Sequence, residues 1–365
     1  MVHTLNASAK LSLHCAFVAA AAVTLGGCSA ATERNGTPEA VAHPHSLSHS
    51  QVGEPIGYYH DFFYRVETVL AQCDWVGPSD MPAEQCYVPE GYVAVGGGVE
   101  VQGENGEMLG TPGAMLVSSF PAFPNFFVGA SKEHLDWYPH KLRAYVIGMR
   151  IQDSSGNWLS AAQLRSQMYV VSHATFVPDG GAAAALVNLS SAPEYQPGDL
   201  LVGGGAAQGF DISDAGRLLY GSQPFGDTSH PAGWIGWSKD HEIASPGTVV
   251  AFAVGMRACP AGANRCFSSQ YTSVGASAAS TYDNGYSYTL LGGDASLFAL
   301  TSIGGVSGWS GAGRLLTHMI PRADDVFAEI RSKDHHFFDN SGNLTAYGLT
   351  VTCDTGQSPT PCFVP

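Results

Sequence analysis

Apolar residues in this chain come in short runs closed by glycine or proline, and no long segment repeats at helical spacing. Tyr92-Val93-Ala94-Val95 leads into Gly96-Gly97-Gly98, and Leu200-Leu201-Val202 leads into Gly203-Gly204-Gly205. Runs of this length, ended by glycine, predict buried strands with a bulge or a close backbone approach. Arg143 to Arg150 and Val249 to Arg257 read as one strand written twice. Polar clusters such as Asp153-Ser154-Ser155-Gly156-Asn157 and Asp339-Asn340-Ser341-Gly342-Asn343 separate apolar runs, as hairpin loops require. The pattern predicts an all-β protein.

The strands belong to a unit that occurs three times. One copy carries Gly96-Gly97, Pro121, Ser131-Lys132-Glu133-His134 and Ala144-Tyr145. The next carries Gly203-Gly204, Pro224, Ser238-Lys239-Asp240-His241 and Ala251-Phe252. The last is read with Gly292-Gly293, Pro321, Ser332-Lys333-Asp334-His335 and Ala346-Tyr347. Gly113, Gly216 and Gly313 open a further shared element, Gly-Ala-Met-Leu in the first copy and Gly-Arg-Leu-Leu in the others. Self-similarity at this period predicts three pseudo-equivalent β repeats, over residues 56–152, 153–259 and 260–365. No Pro- or Ser-rich linker separates them, which favours one β-prism-like threefold assembly over tandem small β-sandwiches. Thr350 replaces the glycine found at Gly148 and Gly255, as expected of a terminal copy.

The amino terminus reads differently. Lys10 precedes a run of small and apolar residues from Leu11 to Leu25, too short for a permanent bilayer span. It ends in Leu25-Gly26-Gly27-Cys28, which resembles the lipobox of bacterial lipoproteins. The resemblance implies a signal peptide over residues 1–27, a lipid on Cys28, and membrane attachment on the extracytoplasmic side. Ser29 after the cysteine resembles the pattern for sorting to an outer membrane, where the host has one. Residues 28–55, rich in Ala, Thr, Ser, Pro, His and Glu, read as a flexible tether.

Six cysteines remain beyond Cys28, and export makes disulfides the expected state. Their spacing predicts neighbour pairing: Cys73 with Cys86, Cys259 with Cys266, and Cys353 with Cys362. The absence of any Cys-x-x-Cys pair argues against structural zinc. Acidic side chains number 31 against 16 basic ones, a net charge of −15, and the basic residues form no runs. Nucleic acid is therefore not an expected partner.

The Ser-Lys-acid-His tetrads are the sharpest chemical candidates, through Lys132, His134, Lys239, Asp240, His241, Lys333, Asp334 and His335. A lysine, a carboxylate and an imidazole can hold an anion, ligate a metal or transfer protons. Around a threefold axis, His134, His241 and His335 would converge on one metal. On a strand, however, Lys239 and His241 share one face and Ser238 and Asp240 the other. Recurrence in all three copies therefore favours a structural role. Trp234 and Trp237 precede the second tetrad and offer core packing or a platform for a sugar ring. Trp75, Trp137 and Trp309 fall outside the shared pattern and are the expected exposed contacts.

No catalytic constellation is legible: Gly308-Trp309-Ser310-Gly311-Ala312 lacks the final glycine of a nucleophile elbow, and the glycine runs match no phosphate or dinucleotide loop. No cofactor is expected. The tripled unit resembles repeats in uncharacterised exported bacterial proteins, a resemblance that implies no activity. The sequence thus points to a lipid-anchored, non-enzymatic binding protein, lectin-like toward a glycan or another cell-surface ligand. The alternative is a structural or adhesion component of the cell envelope that binds other proteins.

Overall fold

The computed structural model describes residues 49–106, 114–132, 139–178, 181–208, 217–240, 244, 246–277, 286–293, 297–309, 314–323, 326–333, 342–356 and 362. Apart from one short helix, α1 (Ala161–Arg165), and a single 3₁₀ turn at Leu189–Ser191, its regular structure is all strand. Two strands enter first, β1 (Ser50–Val52) and β2 (Glu54–His60). The body of the protein therefore already includes residues 50–55, which the composition had given to the tether. They are drawn in because β1 pairs parallel with the later strand at Ala83–Tyr87 and β2 pairs with Val66–Gln72.

Each copy then contributes six corresponding strands. In the first they are β3 (Val66–Gln72), β5 (Ala83–Tyr87), β6 (Val93–Gly103), β7 (Met115–Ala122), β8 (Phe126–Lys132) and β9 (His140–Ile151), with a short extra β4 (Val76–Ser79). In the second they are β10 (Met168–Val177), β11 (Ala183–Asn188), β12 (Leu200–Gln208), β13 (Leu218–Asp227), β14 (His230–Lys239) and β15 (Gly247–Met256). The third supplies β16 (Phe267–Ser277), β17 (Tyr286–Gly292), β18 (Ala299–Trp309), β19 (Leu315–Pro321), β20 (Val326–Lys333) and β21 (Gly342–Cys353).

No sheet belongs to a single copy. The three sheets run β1-β5-β8-β7-β12-β15-β10, β11-β14-β13-β18-β21-β16, and β17-β20-β19-β6-β9-β3-β2. In each, the second, fifth and fourth strands of one copy are followed by the third, sixth and first strands of the next. The third copy hands on to the first, so the exchange is cyclic. The copies are joined by antiparallel pairing of β7 with β12, β13 with β18 and β19 with β6. A copy cut from this arrangement would leave half-sheets with open edges, so the strands are not distributed as separate tandem sandwiches.

The glycine-bearing third strands meet one another at the centre. A side chain at Gly203 on β12 would collide with the Val95 carbonyl on β6, and one at Gly96 on β6 would collide with Thr301 and Ser302 on β18. The Ser302 hydroxyl lies 3.5 Å from the Gly204 carbonyl, which links β18 back to β12. Around these strands a continuous core draws residues from every copy, including Val95, Leu142, Val202, Val254, Leu300 and Ile330.

Strand register corrects one sequence assignment. Gly98, Gly205 and Gly304 occupy one position, opposite Tyr145, Phe252 and Tyr347 of the sixth strands. The third copy's counterparts of Gly96-Gly97 and Gly203-Gly204 are therefore Ser302-Ile303 on β18, only the last glycine of the run being kept as Gly304, and Gly292 ends β17, the copy's second strand. The shared glycine is required because any side chain there would press on the neighbouring fourth strand: on Met319 and Pro321, on Ser119 and Phe120, or on Ser222 and Gln223.

The three disulfides pair neighbours, Cys73–Cys86, Cys259–Cys266 and Cys353–Cys362. The first clasps the chain entry: Gly53 packs under the Cys86 sulfur, and the Cys73 sulfur lies 3.4 Å from the Gln51 carbonyl.

Candidate functional site

The described parts of the tetrads lie at the ends of β8, β14 and β20, on three different sheets. Ser131, Ser238 and Ser332 are buried, and so are Lys132, Lys239 and Lys333. Arg217 and Arg314, from the shared Gly-Arg-Leu-Leu element, are almost wholly enclosed and read these serines. Arg217 donates from Nε to the Ser238 hydroxyl at 2.9 Å and from Nη2 to the Ser238 carbonyl at 3.0 Å. It pairs through Nη1 with Asp240 at 3.0 Å, and Asp240 also accepts from the Gly181 amide at 3.1 Å. Arg314 donates to the Ser332 hydroxyl at 3.4 Å and to its carbonyl at 3.2 Å. Burial pulls the Arg217 guanidinium below the ordinary arginine range, and Asp240 opposes that pull.

The first copy solves the same problem with different residues. Ala114 stands where the arginines do, and the Ser131 hydroxyl instead meets Nε2 of the buried His140 at 2.8 Å. His140 begins β9, where the corresponding residues of β15 and β21 are Gly247 and Gly342. Those glycines leave room for arginine stems: a side chain would approach Cδ of Arg217 at 2.9 Å and Cδ of Arg314 at 3.1 Å. An Arg–Gly pair and an Ala–His pair therefore fill one slot and satisfy one hydroxyl. The tetrad serines thus hold strand ends together rather than facing a ligand. Glu133, His134, His241, Asp334 and His335 lie outside the described residues. Among the described residues no cluster of His, Cys, Asp or Glu is placed to hold a metal.

Trp234 and Trp237 are packing residues. Trp234 is fully buried over Gly204 and donates its indole N–H to the Ser222 hydroxyl at 2.9 Å. Phe127 covers Gly97 in the same way. In the third copy the sizes reverse, with Ile303 at the glycine position and Ala328 at the aromatic one, so the summed volume is kept. Trp237 packs edge-on against Tyr220 at 5.8 Å. Trp75 is half-buried beneath the Arg143 guanidinium, at 4.4 Å, and Trp137 lies outside the described residues.

Two clusters escaped the sequence reading. Arg150 lies between the rings of Trp158 at 4.2 Å and Tyr92 at 4.8 Å, and pairs with Glu67 at 2.5 Å. Arg257, the next copy's equivalent, pairs with Asp199 at 2.5 Å and lies 5.8 Å from the Tyr169 ring. The signal was present in Gly148-Met149-Arg150 and Gly255-Met256-Arg257, but the acidic partners come from different elements in each copy.

Beside the second cluster is a cleft of about 250 Å³ lined by Asn188, Tyr195, Asp199, Ser229, His230 and Ser269, among others. It is bounded by the loop before β12, the β13–β14 turn and the next copy's β16. Tyr195 is half-buried and His230 exposed, so a ring and an imidazole are offered to a ligand. Asp199 is already committed, to Arg257 and to the Gln196 amide at 2.8 Å. The Ser229 hydroxyl lies 2.7 Å from Asp227 and 3.0 Å from Nδ1 of His230. The carboxylate thus holds the serine and not the imidazole, so this is not a base oriented by an acid. Hydrogen bonds from the Ser229 hydroxyl and amide hold the Asp227 carboxyl below its usual range. The cleft can accept hydrogen bonds, donate them and stack a ring. No protein-family model matches the chain, and no curated protein matches it.

Proposed function

We propose that this protein is an exported, lipid-anchored binding module that takes a hydroxyl-rich ligand, such as a cell-surface glycan, in the cleft between β11, the β13–β14 turn and β16. One observation carries the reading. The recurrent serines and lysines are buried and the second copy's Trp234 and Trp237 are packing residues, whereas the cleft joins an accessible ring, Tyr195, to Asn188, Ser229 and His230 on elements that vary among the copies. Variable loops on a repeated scaffold are where recognition usually resides, and an aromatic face with convergent polar groups suits a sugar.

The test is a glycan array probed with the mature chain, with a Tyr195→Ala/His230→Ala variant, and with a His134→Ala/His241→Ala/His335→Ala variant. The reading expects binding that the first variant loses and the second keeps. Loss in the second alone would return the site to the tetrads. The alternative, a structural or adhesion component of the envelope, is favoured by a different observation: among the described residues, three of the five exposed aromatic side chains gather at one place rather than in equivalent loops of the three copies.

A further inference from the structure

That place is β2 and the turn that follows it. Ile56, Tyr58, Phe62 and Tyr64 are 39%, 51%, 56% and 60% exposed, and Leu297 beside them is 37% exposed. The remaining exposed large apolar residues among those described are spread over strands of all three sheets: Val52 on β1, Phe176 on β10, Leu186 on β11, Val274 on β16, and Tyr288 and Leu290 on β17.

The aromatics are held outward by a rigid turn. Asp61 is fully buried, and its carboxylate accepts from the backbone amides of Arg65 at 2.6 Å, Val66 at 2.9 Å and Cys353 at 3.0 Å. The Phe62 amide donates to the Leu297 carbonyl at 3.1 Å, and the Phe62 ring packs edge-on against Phe63 at 5.2 Å. Tyr64 has φ of 55°, a left-handed conformation that side chains other than glycine and asparagine adopt at a cost. Its ring stands 5.1 Å from His60. A tyrosine at a strained position, with its ring 60% exposed, is the arrangement that a contact outside the chain would use.

The occupant follows from the chain's own order. Among the described residues β1 and β2 have no counterparts in the other two copies, and they begin where the segment from Cys28 to Ser48 ends. The 21 residues from Cys28 to Ser48 can span at most about 70 Å, which tethers this edge to Cys28. Resting on the lipid anchor proposed above, we infer that the Tyr58–Phe62–Tyr64 turn seats in the headgroup–acyl boundary of the bilayer, holding the body with its amino-terminal edge against the membrane. Rings with a polar tip, such as tyrosine, favour that boundary. The chain's net charge of −15 does not suit an anionic surface, so the contact is made by apolar burial and needs no anionic lipid.

The mature chain from Ser29, exported behind a signal that leaves no lipid, is mixed with phosphatidylcholine vesicles and floated. The parent and a Phe176→Ser control are expected to float to the same extent, and Tyr58→Ser/Phe62→Ser/Tyr64→Ser at least about tenfold less. Tyr64→Gly relieves the left-handed strain, so it should raise the melting temperature while lowering flotation; this opposite movement separates a contact residue from a folding residue. Absence of flotation by the parent, equal flotation of all variants, or a parent dimer that the triple variant dissolves would each overturn the inference. The mass of the amino-terminal peptide from the full chain, recovered from a bacterial envelope, decides the acyl group on Cys28 independently of the flotation result.

Discussion

Replacing the second copy's Arg–Gly pair with the first copy's Ala–His pair tests whether the tetrad serines are structural. Arg217→Ala alone removes the donors to the Ser238 hydroxyl, the Ser238 carbonyl and Asp240, and the Arg217–Asp240 pair is almost entirely enclosed, with 1% and 7% of the two side chains exposed. Breaking a buried pair by deleting one partner costs about 3–5 kcal/mol. Gly247→His alone drives a side chain into the Arg217 stem, whose Cδ lies 2.9 Å from where the Cβ would stand, a strain of about 1–3 kcal/mol. Together the changes remove the collision and return one hydrogen bond to Ser238, as His140 supplies to Ser131 at 2.8 Å. The double variant should therefore be no less stable than Arg217→Ala, with a favourable coupling of about 2–3 kcal/mol. Urea unfolding with the disulfides kept oxidised reads all four proteins. Additivity within about 0.5 kcal/mol, or an Arg217→Ala cost below about 1 kcal/mol, would refute the shared-slot argument.

Gly304→Ala should destabilise by about 3 kcal/mol or more, because its side chain would meet the Ser222 carbonyl at 2.5 Å, whereas Gly292→Ala should be near neutral, with nothing within 4 Å; equal melting temperatures would sink the register assignment. His318, whose Nε2 lies 2.7 Å from the Val101 carbonyl, is pushed down by burial from 6.5 to about 3, with Arg331 adding to the effect. The folded state therefore keeps it neutral while the unfolded chain takes up a proton below 6.5, so stability falls by about 1.4 kcal/mol per pH unit on acidification between those values. His318→Ser, copying Ser118 of the first copy, should flatten that slope in melts at stepped pH. Glu84 acts in the opposite sense: burial raises it from 4.5 to about 7, so stability declines as pH rises through that window, and Glu84→Gln should remove the decline. Cys259→Ser/Cys266→Ser should cost about 2 kcal/mol in the chain-entropy account, read by the shift in urea midpoint.

The short glycine-ended runs were enough to specify strands, and the thrice-used unit and the neighbour disulfides were legible for the same reason: each is a local property of spacing. The tetrads were legible as recurrent, and recurrence alone pointed to structure. What one strand does to another 20 or 200 residues away was not legible. Gly292-Gly293 looks like the third glycine pair until register with β21 puts Ser302-Ile303, opposite Leu349 and Gly348, at the position of the other copies' pair. The Arg217–Gly247 and Ala114–His140 exchange is hidden because its members lie on different strands and change together. Sharing of each sheet between two copies, the cleft around Tyr195 and the outward turn at Tyr64 arise only on assembly. Alternation decides which side chains share a face of a strand, but long-range pairing decides which neighbour that face meets, and only tertiary packing leaves some faces to solvent.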